Sequence, residues 1–564
     1  MIKHRLKALK NNYKKFDIDG YVVPKNDEFF SEYSQKDRLK FISNFSGSAG
    51  YAVILKKKNY LFVDGRYTIQ AQIESQKNFV IVNYQKIINF KTFKNLTLGI
   101  DPKFFTSHQI KKFFKKSNIK IINKNLIDMI FKKENTPSKP FFPLSKKDVG
   151  ESLKSKLNKI QNFLKKEKSD YIFVSAPENV AWLLNIRGHD NPNSPIPNCH
   201  LFLDSKKNFF LIGEKNKFKK LLKKKILKLM QIIEPINFEK FIYHQKRGNI
   251  IVDFKTCSIF YENILTKRFV ILNKEDPIYL MKSIKNKTEI KNMIKCHILD
   301  GVALTKFLYW IKVINKKKIS EYDAQNKLEK FRKMNRNYLY PSFNTIAGSG
   351  RNGAIVHYRA TKKRSKKIEK NDLFLCDSGG QYKYGTTDVT RTLCFKNPKK
   401  KIKDVFTKVL KGHIAVVKSD LTKKTTGKIL DAKARKFLKK DNLNYEHGTG
   451  HGVGYFLNVH EGPQSISQHN KIKISEGMVL SNEPGYYKKG KYGIRIENLI
   501  YVKKLRKKLF FRNLTLAPID KDLIDFKKLT EEEKNYLLEY NILNYSKLSP
   551  FLSRGQKKWL ASFI

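Results

Sequence analysis

The chain has 564 residues and a formal net charge of +65 at pH 7, with 40% hydrophobic and 12% aromatic residues. This length predicts two to four domains, and the apolar content excludes wholesale disorder. The charge comes mostly from lysine and is spread along the whole chain. Because nucleic-acid-binding proteins carry a localised basic patch and arginine suits phosphate better, we do not expect nucleic-acid binding. A/T-rich codon usage is the simpler hypothesis for the lysine excess.

Five cysteines occur at wide spacings without a Cys-x-x-Cys pair, which is typical of reduced thiols and not of disulfides or a thiolate zinc site. They are Cys199, Cys257, Cys296, Cys376 and Cys394. The basic N-terminus is not followed by the apolar core of a signal peptide, and no run of about 18 apolar residues could span a bilayer. These features predict a soluble cytoplasmic protein without membrane contact.

The first two predicted domains, residues 1–140 and 145–278, share one α/β pattern. In the first, residues 21–23 have the composition of a strand, and residues 51–63 that of a hairpin with a lysine-rich turn. The second opens with a basic amphipathic helix and then repeats the strand and the hairpin. Three prolines within residues 136–143 predict the boundary. We therefore predict two successive accessory domains of one type, the second without a functional site.

The third predicted domain, residues 280–564, carries the residues with chemical character. Apolar residues recur at helical spacing from 290 to 302, and Ser320 with Asp323 forms a helix-capping pair. The other predicted elements are helices at 404–418 and 426–438 and strands at 373–376, 387–395, 478–480 and 494–500. Acidic residues and histidines lie near the ends of these strands.

Asp377 and Asp388 lie at the two ends of a predicted hairpin. An apolar strand leads into Asp377, Gly379 and Gly380 allow a reversal, and a strand rich in Thr and Val carries Asp388. The two carboxylates can therefore stand on neighbouring antiparallel strands within reach of one ion. An aspartate at each end of a hairpin is more often only a turn residue, so the pair alone does not establish a site.

The three residues between His447 and His451 are Gly, Thr and Gly, so that glycines occupy alternate positions. These glycines argue against a helix, which each would destabilise by about 1 kcal/mol. They favour an extended chain whose backbone lies against a ligand or metal and whose imidazoles point the same way. A phosphate-binding loop is the alternative, but neither Gly-Lys-Ser/Thr nor a helix start follows.

Glu483 ends a predicted strand, and Arg495 and Glu497 alternate with isoleucines farther along. Arg495 and Glu497 taken alone could form an exposed salt bridge worth under about 1 kcal/mol. Four carboxylates and one imidazole on several β segments favour a metal site over separate turn residues and surface pairs, because buried like charges require counter-ions. We refer to Asp377, Asp388, His451, Glu483 and Glu497 as the five ligand candidates.

The five ligand candidates offer oxygen donors, one nitrogen and no sulfur, which favours Mn²⁺, Co²⁺ or Zn²⁺. They are too many for one catalytic zinc but suit two ions with bridging carboxylates. Two such ions lower the pKa of a bridging water and yield hydroxide at neutral pH. The predicted reaction is hydrolysis.

Taken in order, these segments resemble the "pita-bread" metallopeptidases of family M24, most closely the three-domain form of aminopeptidase P (Xaa-Pro aminopeptidase). The resemblance is carried by residues 352–358, 377–380, 385–392, 447–454, 458–463, 483–487 and 493–498, with further matches at 31–33, 47–50, 64–67, 181–183 and 185–188. It implies a mixed α/β protein, with two tandem creatinase-N-like α/β domains followed by a pita-bread metallopeptidase domain with a C-terminal extension.

The resemblance also implies roles for the five ligand candidates. Asp377 would chelate one metal, and Asp388 and Glu497 would bridge two. His451 and Glu483 would bind the second metal, and Glu483 would help to deprotonate the water. The implied cofactor is two divalent ions, Mn²⁺ first and Zn²⁺ or Co²⁺ as alternatives. A hydroxide between the metals would then attack the peptide carbonyl.

Three histidines and one arginine match further functional positions of the family. His357, His447 and His460 would orient the substrate, stabilise the tetrahedral intermediate or pass protons. Arg495 would hold a ligating carboxylate in place. Each histidine could instead be a satisfied core residue.

The activity implied by the resemblance is removal of an N-terminal residue whose neighbour is proline, by an enzyme that is usually a homodimer. One alternative is a prolidase that cleaves only Xaa-Pro dipeptides. Another is a metal-free pseudopeptidase that binds peptides. The two accessory domains favour the aminopeptidase over the prolidase, and the intact ligand set argues against the pseudopeptidase.

Overall fold

The structure is a computed structural model that describes residues 2–131, 139–315 and 318–564. The chain forms two compact units, Met1–Ile278 and Tyr279–Ile564. No helix within the described ranges combines the length and the apolar character that crossing a membrane requires. The predicted boundary at 136–143 falls partly on residues 132–138, which lie outside the described ranges.

The first unit begins with a six-stranded mixed sheet. Its strands are Gly20–Pro24 (β1), Tyr51–Leu55 (β2), Asn59–Val63 (β3), Val80–Asn83 (β4), Thr97–Ile100 (β5) and Asn118–Ile121 (β6). Their order is β4-β3-β2-β1-β5-β6. The pairs among β1, β2 and β3 are antiparallel and the other pairs are parallel. The predicted strand and hairpin are both present, and their side chains are shared between two hydrophobic cores.

The same unit contains a second sheet of the same design. The strands of this segment are Phe142–Pro143 (β7), Tyr171–Val174 (β8), Ile186–Arg187 (β9), His200–Asp204 (β10), Phe209–Ile212 (β11), Ile232–Ile233 (β12), Asn249–Val252 (β13) and Val270–Asn273 (β14). Six of them form a sheet in the order β12-β11-β10-β8-β13-β14, and β7 pairs with β9. The pairs β8–β10 and β10–β11 are antiparallel and the others parallel. The second sheet therefore repeats the first strand by strand, as predicted.

Short helices accompany both sheets. They are Ile2–Lys10 (α1), Arg38–Ser43 (α2), Thr68–Ser75 (α3), Ser107–Phe113 (α4), Lys146–Val149 (α5), Leu153–Lys166 (α6), Pro177–Leu183 (α7), Lys219–Lys223 (α8), Phe238–Tyr243 (α9) and Ile259–Leu265 (α10). α6 is the predicted amphipathic helix, with Leu157, Ile160 and Leu164 buried. The prolines near residue 140 do not stop all regular structure, since Pro143 lies in the two-residue strand β7, where proline is tolerated at an edge.

The second unit is built from several antiparallel sheets. Its strands are Tyr338–Pro341 (β15), Ile346–Ser349 (β16), Phe374–Ser378 (β17), Gly380–Tyr382 (β18), Gly385–Thr386 (β19), Val389–Leu393 (β20), Gly450–Gly452 (β21), Glu461–Ile466 (β22), Val479–Asn482 (β23), Gly485–Lys488 (β24), Tyr492–Arg495 (β25), Asn498–Leu505 (β26) and Lys508–Asn513 (β27). The sheets have the orders β15-β18-β19, β16-β17-β20, β22-β21-β23-β26-β27 and β24-β25.

Helices pack against these sheets. They are Ile278–Ser283 (α11), Lys287–Tyr309 (α12), Glu321–Lys333 (α13), Lys400–Val417 (α14), Gly427–Lys439 (α15), Glu531–Leu548 (α16) and Arg554–Ala561 (α17). Apolar residues of α12 and α13 pack with those of β16, β17 and β20, and α14 to α16 pack with β23, β26 and β27. The predicted helices are all present, and Ser320 and Asp323 form the expected capping box.

Candidate metal centre

Asp377 and Asp388 lie on or beside neighbouring antiparallel strands. Asp377 lies within β17, which pairs with β20, and Asp388 directly precedes β20. The prediction of a chain reversal at Gly379 and Gly380 is wrong. Gly380 begins β18, which pairs with β15, and the chain reverses after β18, which pairs with β19. Gly379 instead permits a close approach, since a Cβ there would lie 2.0 Å from the carbonyl oxygen of Thr387.

The segment from His447 to Gly454 is not helical, and its centre forms β21 between β22 and β23. A Cβ on Gly450 would lie 1.9 Å from the carbonyl oxygen of Ser481 on β23. The glycines were expected to bring the backbone against a ligand or metal. At Gly450 the close approach is to a neighbouring strand instead.

Glu483 directly follows β23 and is held from two sides. Its backbone N–H donates to the carbonyl oxygen of Thr449 at 2.7 Å, and Ser481 Oγ donates to Glu483 Oε1 at 3.1 Å. Ser481 Oγ also accepts from the backbone N–H of His451 at 2.9 Å. One serine therefore links two of the five ligand candidates.

The strand predicted at 494–500 is two strands in two sheets. β25 ends at Arg495 and β26 begins at Asn498, because the backbone N–H of Glu497 donates to the carbonyl oxygen of Thr390 at 3.2 Å. Arg495 and Glu497 are each only 1% exposed. This burial rules out the surface salt bridge that they could have formed alone.

The remaining ligand candidates converge around the imidazole of His451. Its Nε2 lies 3.5 Å from Asp388 Oδ2 and 3.5 Å from Glu483 Oε1. One donor atom each of Asp388, His451 and Glu497 lies within 4.8 Å of the others. His451 Nδ1 lies 2.9 Å from the carbonyl oxygen of Gly452. That contact assigns the hydrogen to Nδ1 and leaves Nε2 facing the carboxylates, which is the orientation of a metal-binding histidine.

Asp377 is fixed on one side by an arginine. Its Oδ2 accepts from Arg495 Nη2 at 2.5 Å, whereas its buried Oδ1 has no hydrogen-bond partner among the described residues. Arg495 also donates from Nη1 to Tyr487 Oη at 2.6 Å and from Nε to Thr390 Oγ1 at 3.0 Å. A buried carboxylate oxygen without a partner is costly, and a bound cation would remove that cost.

The electrostatics of the cluster also fit divalent ions. Burial and then the charge of Asp388 raise the pKa of Glu497 well above its ordinary value. Burial likewise raises the pKa of Asp388. Burial would lower the pKa of His451, but contact with Asp388 and the charge of Glu483 outweigh it and raise that pKa. Burial and mutual repulsion thus disfavour the charged carboxylates, and two divalent ions would stabilise that charge.

Two of the substrate-side histidines contact this cluster. The rings of His460 and His451 pack edge to face, with centroids 4.4 Å apart. His447 Nε2 lies 2.9 Å from Tyr487 Oη, and its Nδ1 lies 4.0 Å from Glu483 Oε2. His447 therefore lies beside the Glu483 carboxylate, and His460 lies against the imidazole of His451.

His357 is half-buried in the loop after the short 3₁₀ helix Gly350–Ala354. That helix packs against β25, the strand that ends at Arg495. His357 therefore belongs to the segment that borders β25, and its role toward a substrate stays a prediction.

A buried ion pair on α15, which was not predicted from the sequence, supports the His447 segment. Arg435 Nε donates to Asp431 Oδ2 at 2.8 Å. The Arg435 Nη atoms donate to the carbonyl oxygens of Tyr445 at 2.7 Å and His447 at 2.6 Å. Asp431 Oδ1 accepts from Thr449 Oγ1 at 2.7 Å. The spacing of four between Asp431 and Arg435 was a signal, but surface pairs show it too.

Glu461, the neighbour of His460, is buried with two lysines. Lys282 Nζ lies 3.1 Å from Glu461 Oε2, Lys285 contacts Oε1, and all three side chains are at most 2% exposed. Burial would raise the pKa of Glu461, but the charges of Lys282 and Lys285 outweigh it and lower that pKa. Burial lowers the pKa of Lys285. A buried cluster with two cations and one anion therefore lies next to His460.

The chain matches four family models in chain order. Residues 5–125 and 132–289 match two models described as creatinase/prolidase N-terminal domains. Residues 291–504 match metallopeptidase family M24, and residues 507–562 match the C-terminal region of peptidase M24. The five ligand candidates all lie within 291–504.

Similar proteins span the whole chain. A protein of Coprinopsis cinerea named "Probable Xaa-Pro aminopeptidase P" is 36% identical over 99% of this chain and 97% of its own length. One of Pyrenophora teres f. teres with the same name is 35% identical over 98% of this chain and 90% of its own length.

Solved structures show the same fold. An X-prolyl aminopeptidase from Caenorhabditis elegans, described as a cytosolic enzyme with a di-nuclear active site, is 28% identical with a TM-score of 0.91. That match covers 100% of this chain and 99% of the other. The prolidase from Pyrococcus horikoshii OT3 is 26% identical with a TM-score of 0.52, over 65% of this chain and 99% of its own.

Proposed function

This chain belongs to metallopeptidase family M24, and from that membership we propose that it is an Xaa-Pro aminopeptidase, which removes the first residue of peptides with proline in second position. The observation that carries the proposal is the convergence of Asp388, His451, Glu483 and Glu497 in a chain that matches an X-prolyl aminopeptidase over its whole length. Domains at 1–140, 145–278 and 280–564, which we also propose, agree with it.

We propose that the five ligand candidates bind two divalent ions, with Mn²⁺ as first choice and Zn²⁺ or Co²⁺ as alternatives. Asp377 would bind one ion, and Asp388 and Glu497 would bind both. His451 and Glu483 would bind the other. Oxygen donors outnumber the single imidazole and no thiolate takes part, which favours Mn²⁺. When bound, such ions supply Lewis acidity and lower the pKa of a water molecule to near neutrality.

The remaining side chains would bind the peptide and move its protons. The carboxylate of Glu483 can take a proton from the attacking water. His447 lies beside Glu483 and His460 lies against His451, where an imidazole can donate to the oxygen of the carbonyl under attack or pass a proton to the leaving proline nitrogen. His357 would bind the substrate from the β25 side. Arg495 acts through Asp377 and is a positioning residue.

A peptide panel with metal-depleted protein tests this function. After chelation the full chain should be inactive, and added Mn²⁺ should restore cleavage of Xaa-Pro-Yaa but not of Xaa-Ala-Yaa. Cleavage of Xaa-Pro dipeptides alone would identify a prolidase. Hydrolysis that survives chelation would contradict the metal mechanism, and peptide binding without hydrolysis would support a pseudopeptidase.

The prolidase alternative is disfavoured by the extent of the match. The solved prolidase is covered almost completely but accounts for only 65% of this chain, which therefore carries additional structure. The duplicated sheet of the first unit is such structure. The two relatives that match nearly the whole chain are both named "Probable Xaa-Pro aminopeptidase P".

We further propose a cytoplasmic homodimer whose partners are peptides. The five cysteines are all free and buried, in keeping with a reducing compartment. The match in C. elegans is described as cytosolic. Sedimentation of the full chain at micromolar concentration tests the dimer, and a purely monomeric mass would contradict it.

Replacing Arg435 with lysine should lower kcat about 10- to 100-fold with little change in KM, because lysine cannot bind Asp431, Tyr445 and His447 together. Steady-state kinetics with an Xaa-Pro-Yaa peptide measures the effect. Arg512→Lys, an exposed change on β27, is the matched control. An unchanged kcat would show that the ion pair does not position His447.

A further inference from the structure

Arg391 is a buried arginine, 2% exposed, and its hydrogen-bond acceptors among the described residues are all neutral oxygens. Its acceptors are the carbonyl oxygens of Glu497 at 2.7 Å, Thr390 at 2.8 Å, Ala517 at 2.8 Å and Pro518 at 3.0 Å, Asn498 Oδ1 at 2.8 Å and Tyr540 Oη at 3.0 Å. A buried guanidinium without a paired carboxylate is costly. A stabilising ion pair therefore does not explain this residue.

The acceptors of Arg391 belong to two parts of the chain. Thr390 and Glu497 lie in the segments that carry the proposed bridging ligands. Ala517 and Tyr540 lie in the C-terminal part, where α16 carries Tyr540. One planar side chain thus connects the metal centre to the C-terminal segment, and the fixed fork of a guanidinium makes that connection rigid.

Tyr540 fixes the C-terminal side of this connection. It is 2% exposed, and its hydroxyl accepts from the backbone N–H of Ala517 at 3.2 Å. The same hydroxyl lies 2.9 Å from the carbonyl oxygen of Ala517 and 3.1 Å from that of Thr515, to which it can donate. Tyr540 therefore holds the turn that supplies acceptors to Arg391.

Thr390 and Glu497 transmit this geometry to the carboxylates. Thr390 Oγ1 donates to Glu497 Oε2 at 2.7 Å, and Arg391 Nη1 donates to both backbone carbonyls. Asp388 lies two residues before Thr390 on the same segment. A shift of Arg391 would therefore displace the segments of both proposed bridging ligands.

We infer that the C-terminal segment positions the two bridging carboxylates through Arg391, so that Arg391 and Tyr540 are positioning residues of the metal centre. This inference rests on the proposed function for the identity of the site as a metal centre. Groups that orient ligands from outside the coordination sphere typically change metal affinity or activity 10- to 100-fold.

Titration of Mn²⁺ into the metal-free full chain by calorimetry tests the inference. Tyr540→Phe removes one oxygen atom and should raise the Mn²⁺ dissociation constant about tenfold or more. Tyr536→Phe is the matched control. Tyr536 lies one turn earlier on α16, stacks on Tyr540 and bonds Asn513 at 3.0 Å. The Tyr536→Phe variant should bind Mn²⁺ with the affinity of the wild type. Arg391→Lys keeps the charge without the fork and should weaken binding at least as much as Tyr540→Phe.

Thermal unfolding of the metal-free variants separates positioning from general loosening. Similar melting temperatures with unequal Mn²⁺ affinities support the inference. Equal affinities of the two tyrosine variants, or a Tyr540→Phe chain that does not fold, would overturn it. Wild-type protein that binds Mn²⁺ but cleaves no Xaa-Pro peptide would end the proposed function and leave this inference standing. Wild-type protein that binds none of Mn²⁺, Zn²⁺ and Co²⁺ would end the metal centre and the inference with it.

Discussion

Replacing Asp388 with asparagine should lower kcat/KM by about three orders of magnitude or more, because a proposed bridge between two catalytic ions is lost. The fold should survive without metal. Asp388 is buried near Asp377 and Glu483, and burial together with repulsion by their charges raises its pKa to about 6, although contact with His451 opposes the rise. A neutral amide of the same shape removes that repulsion, so the metal-free variant should be at least as stable as the wild type.

Thermal unfolding with and without Mn²⁺ checks this expectation together with the kinetics. Saturation at about 100 times the dissociation constant stabilises a protein by about 2.7 kcal/mol, and the variant should lose most of this gain. Asp276→Asn is the matched control, because Asp276 is also buried and burial raises its pKa to about 6. That variant should keep the Mn²⁺ response. Activity of Asp388→Asn within a few-fold of the wild type would disprove the bridging role.

Replacing Glu461 with glutamine should lower the free energy of unfolding at pH 7 by about 3–5 kcal/mol, because Lys282 and Lys285 would remain buried without their counter-ion. Urea denaturation measures the change. Glu476→Gln, the same change at an exposed position, should alter stability by less than about 0.5 kcal/mol. Adding Lys285→Met to the Glu461 variant should recover part of the loss.

The pH dependence of this variant has a definite sign. Burial already lowers the pKa of Lys285 below 10.5, and without Glu461 it should fall further. The folded state then binds fewer protons than the unfolded state, so stability should rise with pH over the alkaline range below the ordinary lysine pKa. In the wild type, Glu461 has a lowered pKa, and its contribution is present above the unfolded value and lost in acid. If the free energy of unfolding of the variant stays constant or falls as the pH rises over the alkaline range, the proposed burial of charged Lys285 would be contradicted.

The ligand candidates could be predicted from sequence because each carries a local signal. Asp377 and Asp388 sit at strand ends, and His451 stands in a glycine-rich run that no helix would tolerate. The order of these segments along the chain supplied the rest through resemblance. The repeat of the first two domains could also be predicted from local patterns, because the patterns of a strand and a hairpin recur in both.

The supporting residues could not be predicted because their partners are distant in sequence. Lys285 meets Glu461 across 176 positions, and Arg391 meets Tyr540 across 149. Charged side chains are also expected at the surface, so their burial cannot be predicted from the sequence alone. The interruption between β25 and β26 also depends on a distant partner. The backbone N–H of Glu497 bonds to Thr390 on β20, which the strand pattern of residues 494–500 does not show.

The close approaches at Gly379 and Gly450 bear on how this gene can change. Every glycine codon begins with two guanines, so mutation toward adenine and thymine removes glycine wherever another residue fits. At these positions a Cβ would overlap a carbonyl oxygen at 2.0 Å and 1.9 Å. We therefore expect these two positions to stay glycine even where A/T-rich codon usage favours lysine in the rest of the chain.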